Sequence, residues 1–333
     1  MRLLKNNEIP KDRWIALLSK SPYASVFQSP VFYELVNSVV GLLAEVYAIE
    51  ESTEIRAVCV VTIQKEKGVK SFFSRRAIIY GGPVLIEGDK NPLNFLLNYI
   101  YKELKQKVIY LEVRNFFDYS QFHSNYLSAE WEWLPYLNVR LSLKEKSIED
   151  VLASMKYNRK REIKLSLVEG AIYREAIDIS EVQNLYLILK ELYTKKVKLP
   201  VPNLEFFIKI FKSAIGKIFI VLHNNQIIGG SFCLYLEKKT IYTMYYCGLR
   251  GYQKNIFPTH LSILAAIDFG IRNNLEYLDF MGAGLRGKEY GVRKYKYEFG
   301  GELVEYGRYI RINNPFLYKV GALALKLIKK LKI

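Results

Sequence analysis

The chain has 333 residues, half of them hydrophobic and 14% aromatic, and a formal net charge of +16. That length and apolar content suit two domains with full cores. Three scattered histidines (His123, His223, His260), none in an H-x-x-x-H spacing, leave no His-based metal site, and no apolar run is long enough to span a bilayer. The N-terminal residues hold no apolar h-region, so a cytoplasmic protein is expected. Cys59, Cys233 and Cys247 form no C-x-x-C pair and lie in strand-like runs, as buried free thiols do. The charge is uneven: residues 1–146 carry a net +3 and the remainder +13, a field that favours an anionic partner.

In chain order, residues 10–20 and 31–39 read as helices around the turn SPYASVFQSP. Strands follow at 44–50 and 55–64, joined by a polar turn. A basic stretch at 71–76 leads into an apolar strand at 77–86, interrupted by Gly81, Gly82 and Pro83. Leu93, Leu96, Leu97, Ile100 and Leu104 recur at helical spacing behind an Asn91 cap. Strands are expected at 108–113 and 136–143, with a loop or short helix between them. A second set begins near Ser147: helices at 148–155 and 159–168, the latter closed by Gly170, then a strand at 172–176. Helices at 180–196 and 204–214 flank LPVP, and strands follow at 217–223, 227–236 and 241–247. Pro258 opens a helix to about Asn273, and 275–281 reads as a buried strand. Gly282, Ala283, Gly284 and Gly287 read as a loose turn, and the alternating YKYEF at 295–299 as a return strand. A strand at 306–312 and a helix from Pro315 complete the chain.

The two halves share one order: strand, tight turn, longer strand, third strand, amphipathic helix, buried strand. The order implies two copies of one α/β domain with mixed sheets, at 1–146 and 147–314, followed by a basic amphipathic helix at 315–333.

Four stretches carry a family resemblance. YNRKREIKLSLVEG (157–170) is a basic helix ending in glycine, and YLDFMGAG (277–284) a final-strand motif. RKYKYEFGGELVEY (293–306) contains aromatic–Lys–x–x–Phe–Gly–Gly, and VFQSPVFYEL (26–35) fits an opening segment. With these the chain resembles the Fem-type aminoacyltransferases, which build peptidoglycan cross-bridges, and the wider set of GNAT-type acyltransferases of polysaccharide gene clusters. The resemblance implies tandem GNAT-like domains facing a cleft. It implies an aminoacyl or acyl transfer to an amine of a cell-envelope precursor, lipid-linked or nucleotide-linked. There are departures. Asn115 stands where an Asp is expected, Asn37 lies near the place of a substrate-binding Lys, and 181–215 is too short for the helical arm of several members.

The candidate site residues follow. In YKYEF, the local alternation leaves Lys296 in water with Lys294 and Glu298, whereas the family's matching lysine is implicated in acyl transfer. An ammonium there would stabilise an oxyanion or the phosphate of a leaving tRNA. Asp279, inside a buried strand, must be paired or hydrogen-bonded and is a candidate base or orienter, with Arg286 or Arg293 as internal partners. Arg159, Lys160 and Arg161 open a helix, where cations oppose the macrodipole and a bound phosphate would compensate them, with Lys164 on the same face. Arg293 and Tyr295 complete the substrate-binding set. GAGLRG (282–287) is a formal G-x-G-x-x-G, but a strand pattern follows it rather than the helix that a dinucleotide fingerprint opens, so a substrate-side loop is expected.

The segment 248–260 lacks the glycine spacing that cradles the pyrophosphate of CoA, which fits an aminoacyl-tRNA donor rather than acyl-CoA, with no bound cofactor. An N-acyltransferase of surface-polysaccharide synthesis using another donor is the alternative. A non-catalytic GNAT-like protein that binds RNA or a membrane surface is a third reading. In the C-terminal helix Phe316, Leu317, Val320, Leu323, Ala324, Leu327, Ile328 and Leu331 share an arc, with Leu325 out of place and five lysines outside it. Such a helix either docks on the body or lies in a membrane surface with its lysines on anionic headgroups.

Overall fold

The polar turn Glu51–Glu54 joins two long apolar strands that pair antiparallel along their length, and a sheet grows from this hairpin. The computed structural model describes residues 1–65 and 74–331, with side chains in the last helix as far as Leu323. The basic stretch expected at 71–76 therefore begins outside the described residues. Two compact units are formed, one by residues 1–136 with 305–333 and the other by 137–304.

The first unit runs β1 (Arg2–Lys5), α1 (Lys11–Lys20), α2 (Pro30–Asn37), β2 (Leu43–Glu51), β3 (Glu54–Gln64), β4 (Arg76–Gly81), β5 (Val84–Leu85), α3 (Lys90–Leu104), β6 (Tyr110–Asn115), α4 (His123–Ser128) and β7 (Glu132–Leu134). The second runs β8 (Tyr136–Ser142), α5 (Ile148–Ser154), α6 (Tyr157–Val168), β9 (Ile172–Glu175), α7 (Ile179–Leu192), α8 (Leu204–Lys212), β10 (Gly216–His223), β11 (Gln226–Leu236), β12 (Thr240–Gly248), α9 (Pro258–Arg272), β13 (Tyr277–Leu285), α10 (Gly291–Tyr297) and β14 (Glu302–Val304). The chain then returns to the first unit as β15 (Arg308–Ile312) and α11 (Pro315–Leu331).

The first sheet has the order β1-β2-β3-β4-β6-β15-β7, with β5 on β3, and the second β14-β8-β13-β12-β11-β10-β9. Both are mixed: β4 and β6 are parallel, as are β12 and β13, and the other pairings given by register are antiparallel. The expected boundary at 146/147 therefore moves. Residues 137–142 hydrogen-bond in the second sheet, and 308–312, expected in the second domain, sit between β6 and β7 in the first. Alternating hydrophobicity marks a strand but does not say which sheet receives it.

Each core is built from the expected periodicities. On α3, Leu93, Leu96, Leu97, Ile100 and Leu104 are fully buried against Cys59, Val61, Leu111 and Val113. The helix starts two residues earlier than expected, with Asp89 rather than Asn91 at its N-cap. In the second unit α9, opened by Pro258, is buried almost all round, as a helix packed in a core must be. Ser147 and Asp150 cap α5 reciprocally, Asp150 N donating to Ser147 Oγ at 3.1 Å and Ser147 N to Asp150 Oδ2 at 2.9 Å.

A buried charge cluster fastens β15. Arg114 and Arg308 are directly opposite on β6 and β15, and both donate to Glu112, at 2.8 and 2.7 Å. Arg308 also stacks 3.7 Å from the ring centre of Tyr136. Burial alone would raise the Glu112 carboxyl, but the two guanidiniums outweigh it and hold the group below its usual range. Asn37, near the expected lysine position, is structural: its amide both donates to Ala44 O and accepts from Ala44 N, closing an otherwise open stretch of β2.

These pairings set a test by truncation. A chain ending at Val304 loses β15 and leaves β6 and β7 without their common neighbour. It is expected to expose the first unit to limited proteolysis, whereas a chain ending at Asn314 keeps β15 and stays resistant. Equal resistance of the two chains would show that β15 is dispensable.

Candidate active site

In the first unit the parallel pair β4–β6 is closed from Arg76↔Tyr110 to Gly81↔Asn115. In the second unit the corresponding pair β12–β13 is registered only from Thr240↔Tyr277 to Tyr242↔Asp279. Beyond Asp279 the strands part. The change falls where Met281 adopts φ +58 within β13, a left-handed conformation rare for a side chain of this size. The Asp279 carboxylate supports that kink, accepting from Met281 N at 2.5 Å through Oδ1.

Backbone carbonyls of a strand that has lost the pairing on one side need other donors, and α10 supplies them. Lys296 Nζ donates to Phe280 O at 2.5 Å and to Gly282 O at 2.8 Å. Arg293, one turn earlier, donates to Ala283 O at 2.8 Å and to Leu285 O. Tyr295, on the other side of the same helix, stacks on Tyr246 of β12 at 5.9 Å between ring centres. The short helix thus bridges the two parted strands. Gly284, at φ +84, keeps this fit, since a Cβ there would meet the Tyr290 ring at 3.0 Å.

This corrects two expectations. Residues 282–285 are not a turn but the continuation of β13, and 295–297 lie on a helix rather than a strand. The sequence YKYEF satisfies both periods: Tyr295 and Phe299 are two steps of a strand apart twice over, but also one helical turn apart. In the helix Arg293 and Lys296 share a face, and it turns inward. Lys296 is consequently buried, 6% exposed, rather than solvated, while Tyr297 is 44% exposed. The formal G-x-G-x-x-G runs through a strand and opens no phosphate-binding helix.

Asp279 is 1% exposed, and its Oδ2 has no hydrogen bond. That oxygen lies 4.0 Å from Arg140 Nε of β8, whose guanidinium stacks 3.8 Å from the Tyr277 ring centre. The partner is thus Arg140, not Arg286 or Arg293. Burial pushes Asp279 up to about 6, against the pull of Arg140, the Met281 N–H and Lys296. Burial pushes Lys296 down to about 8, opposed by Asp279. Each of the two groups thus favours the charged form of the other, against burial, which disfavours both. Of the three Lys296 N–H groups, two are engaged with carbonyls and one remains.

The expected basic helix, α6, divides by burial. Arg161 and Lys164 are exposed and Lys160 partly so, as a phosphate contact requires. Arg159 is 4% exposed and engaged with Glu298 at 2.7 Å, so it is not open to a substrate phosphate. Tyr295 donates to Thr259 O at 3.2 Å and is packed into the site rather than presented to a ligand. Sequence reasoning missed Arg140 and Glu298. A lone arginine in the apolar run YLNVRLSL was the available signal for the first, and Glu298 had none beyond its neighbour Lys296. Two open concavities elsewhere, about 520 Å³ beside Asn37 and about 650 Å³ beside Asp268, contain none of these residues. The charged groups in the second are already paired, Lys217 with Glu175 and Arg272 with Asp268. No cluster that could hold a metal occurs among the described residues.

Two like units, each a mixed sheet with one parallel strand pair, make up a tandem GNAT fold. Solved structures carry the same architecture: FemX, at 13% identity and TM-score 0.73, covers 96% of this chain and 99% of its own. L-PGS from Bacillus licheniformis (11% identity, TM-score 0.58) covers 94% of this chain and 96% of its own. A tandem GNAT protein from the clavulanic acid biosynthesis pathway (10% identity, TM-score 0.56) covers 94% and 99%. At these identities the likeness establishes the fold. No protein-family model and no curated protein matches the sequence.

The Asp279–Lys296 coupling has a direct readout. Asp279→Asn removes a charge that raises the Lys296 pKa, so the Lys296 midpoint is expected to fall below about 8. Lysine ¹³Cε resonances followed against pH, with Lys296 assigned by Lys296→Arg, measure it. A midpoint that stays put would separate the two groups.

Proposed function

We propose that the chain is an N-acyltransferase that moves an aminoacyl or other acyl group from an activated donor to an amine on an anionic cell-envelope precursor. The observation that carries this reading is Lys296: an ammonium held by two strand carbonyls where β12 and β13 part, with one N–H left to donate. In the reaction the neutral amine attacks the acyl carbonyl, a C–N bond forms and the bond to the leaving oxygen or sulfur breaks. The amine loses a proton, and the leaving group gains one. The free Lys296 N–H donates to the oxyanion or to the departing oxygen. Because it is anchored before the reaction, little reorganisation opposes it. Asp279 is too buried to meet substrate and acts through Lys296, keeping its charge.

An aminoacyl-tRNA ester is the donor favoured, since 248–260 lacks the spacing for a CoA pyrophosphate and Arg161, Lys164 and the partly exposed Lys160 offer cations for phosphates. Transfer from acyl-CoA but not from aminoacyl-tRNA would instead support the polysaccharide N-acyltransferase reading.

Lys296→Met is expected to lower kcat by about 10²- to 10³-fold. The wild-type rate requires the protonated lysine, so it should decline as pH rises through about 8. Lys296→Arg, which keeps its charge far beyond that pH, should lose this decline even where its rate is lower. Full activity in Lys296→Met would remove the residue from the mechanism.

The membrane contact belongs to the same proposal. No helix among the described residues is long and apolar enough to cross a membrane. In α11, Tyr318 packs edge-on against Tyr110 at 5.3 Å, while Phe316 and Leu323 are 73% and 59% exposed. The side chains of 324–333, half of the expected apolar arc, lie outside the described residues. No acidic residue follows Glu305. Binding to vesicles containing phosphatidylglycerol is expected to weaken with salt, each lysine contributing about 1 kcal/mol. It should be lost in a chain ending at Asn314. Equal sedimentation of both chains would make the helix purely structural.

A further inference from the structure

Arg159 stands first in the basic run NRKR, yet the fold withdraws it from its neighbours. Its guanidinium lies under α10: Nη2 donates to Glu298 at 2.7 Å, and Nη1 contacts His260 Nε2 and lies 3.7 Å from Glu162. Its carbon centre sits 4.4 Å from the Tyr295 ring centre and 4.8 Å from that of Phe299. Tyr295 and Glu298 flank Lys296 in sequence. Phe299, fully buried, closes the same turn against Phe280, whose carbonyl accepts from Lys296.

A seven-residue helix opened by glycine has too few internal hydrogen bonds to hold its own position. Its orientation must come from outside contacts. At its C-terminal end Arg159 supplies an ion pair and two aromatic faces. Lys156 N, one turn of chain earlier, donates to Glu298 O at 3.0 Å. His260 joins from α9, 3.2 Å from Tyr295 Oη and 3.0 Å from Glu162.

We infer that Arg159 is a positioning residue: through Glu298 and the rings of Tyr295 and Phe299 it sets the rotation of α10 and thereby aims Lys296. The inference rests on the acyl-transfer role of Lys296. It separates Arg159 from Lys160, Arg161 and Lys164, which remain available to phosphates.

The experiment compares Arg159→Met, Glu298→Gln, the double variant and Lys160→Met in the full chain, with kinetics and the Lys296 ¹³Cε titration measured on each. Arg159→Met is expected to lower kcat by about tenfold to a hundredfold with KM for donor and acceptor unchanged. Its Lys296 midpoint should rise, because a loosened helix lets water reach the ammonium and relieves the burial that lowers it. Glu298→Gln should move kcat in the same direction, and the double variant should be no worse than the worse single, as for two residues acting as one unit. Lys160→Met should change KM and not the titration. If Arg159→Met fails to fold, Glu298→Gln carries the same test. A raised KM with unchanged kcat and an unmoved titration in Arg159→Met would make it a substrate ligand and overturn the inference. Absence of transfer in the wild type would defeat the acyl-transfer reading instead, while the titration would still report whether Arg159 holds Lys296.

Discussion

The second unit depends on one local problem: a central strand whose parallel partner departs halfway along. After Tyr242↔Asp279 the carbonyls of β13 have no strand to receive them from β12. Leaving them bare inside a protein costs about as much as losing hydrogen bonds outright. Lys296 and Arg293 donate to four of these carbonyls from a single helix face. An ammonium that would otherwise remain in water is thereby drawn into the interior, where its charge is costly and its pKa falls. The chemistry of the site is thus tied to the repair of a sheet.

The two units show what that departure adds. Both pair a third strand in parallel with the strand after an amphipathic helix. In the first unit the pairing runs to the end, the carbonyls are spent within the sheet, and no cation is needed between β4 and β6. Its buried charge instead fastens β15: Glu112 bridges two arginines that face each other across β6 and β15. Removing one member of such a buried cluster typically costs about 3–5 kcal/mol, since charges are left uncompensated. The same kind of group therefore secures register in one unit and equips an opening in the other.

The charge surplus of the second half looks different once burial is known. Arg159, Arg293 and Lys296 were all expected to meet substrate, yet two of them serve β13 directly and the third serves the helix that bears them. Of the cations expected to meet substrate, Arg161 and Lys164 of α6 are exposed and Lys160 partly so. An arginine is well suited to the interior task, because its planar fork can hold a carboxylate while its faces lie on aromatic rings.

Much of the fold was legible in the chain. The two apolar strands at 44–50 and 55–64 around a polar turn, the helical spacing of Leu93 to Leu104, Pro258 before an apolar helix and the shared order of the halves are local patterns that burial enforces directly. Asp279 was legible as a carboxylate in a buried strand and Lys296 only through a resemblance; that the two share one site was not legible. Three matters were decided by tertiary structure alone. Sheet membership of 137–142 and 308–312 was hidden because a strand's pattern records which face is buried, not which neighbour it has. The helix at Gly291–Tyr297 was hidden because YKYEF fits both periods, and only the unpaired carbonyls of β13 reward the one that turns lysine inward. The separation of Arg159 from Lys160 and Arg161 was hidden because adjacent cations look alike until packing buries one of them beside Glu298 and leaves the others partly or wholly exposed.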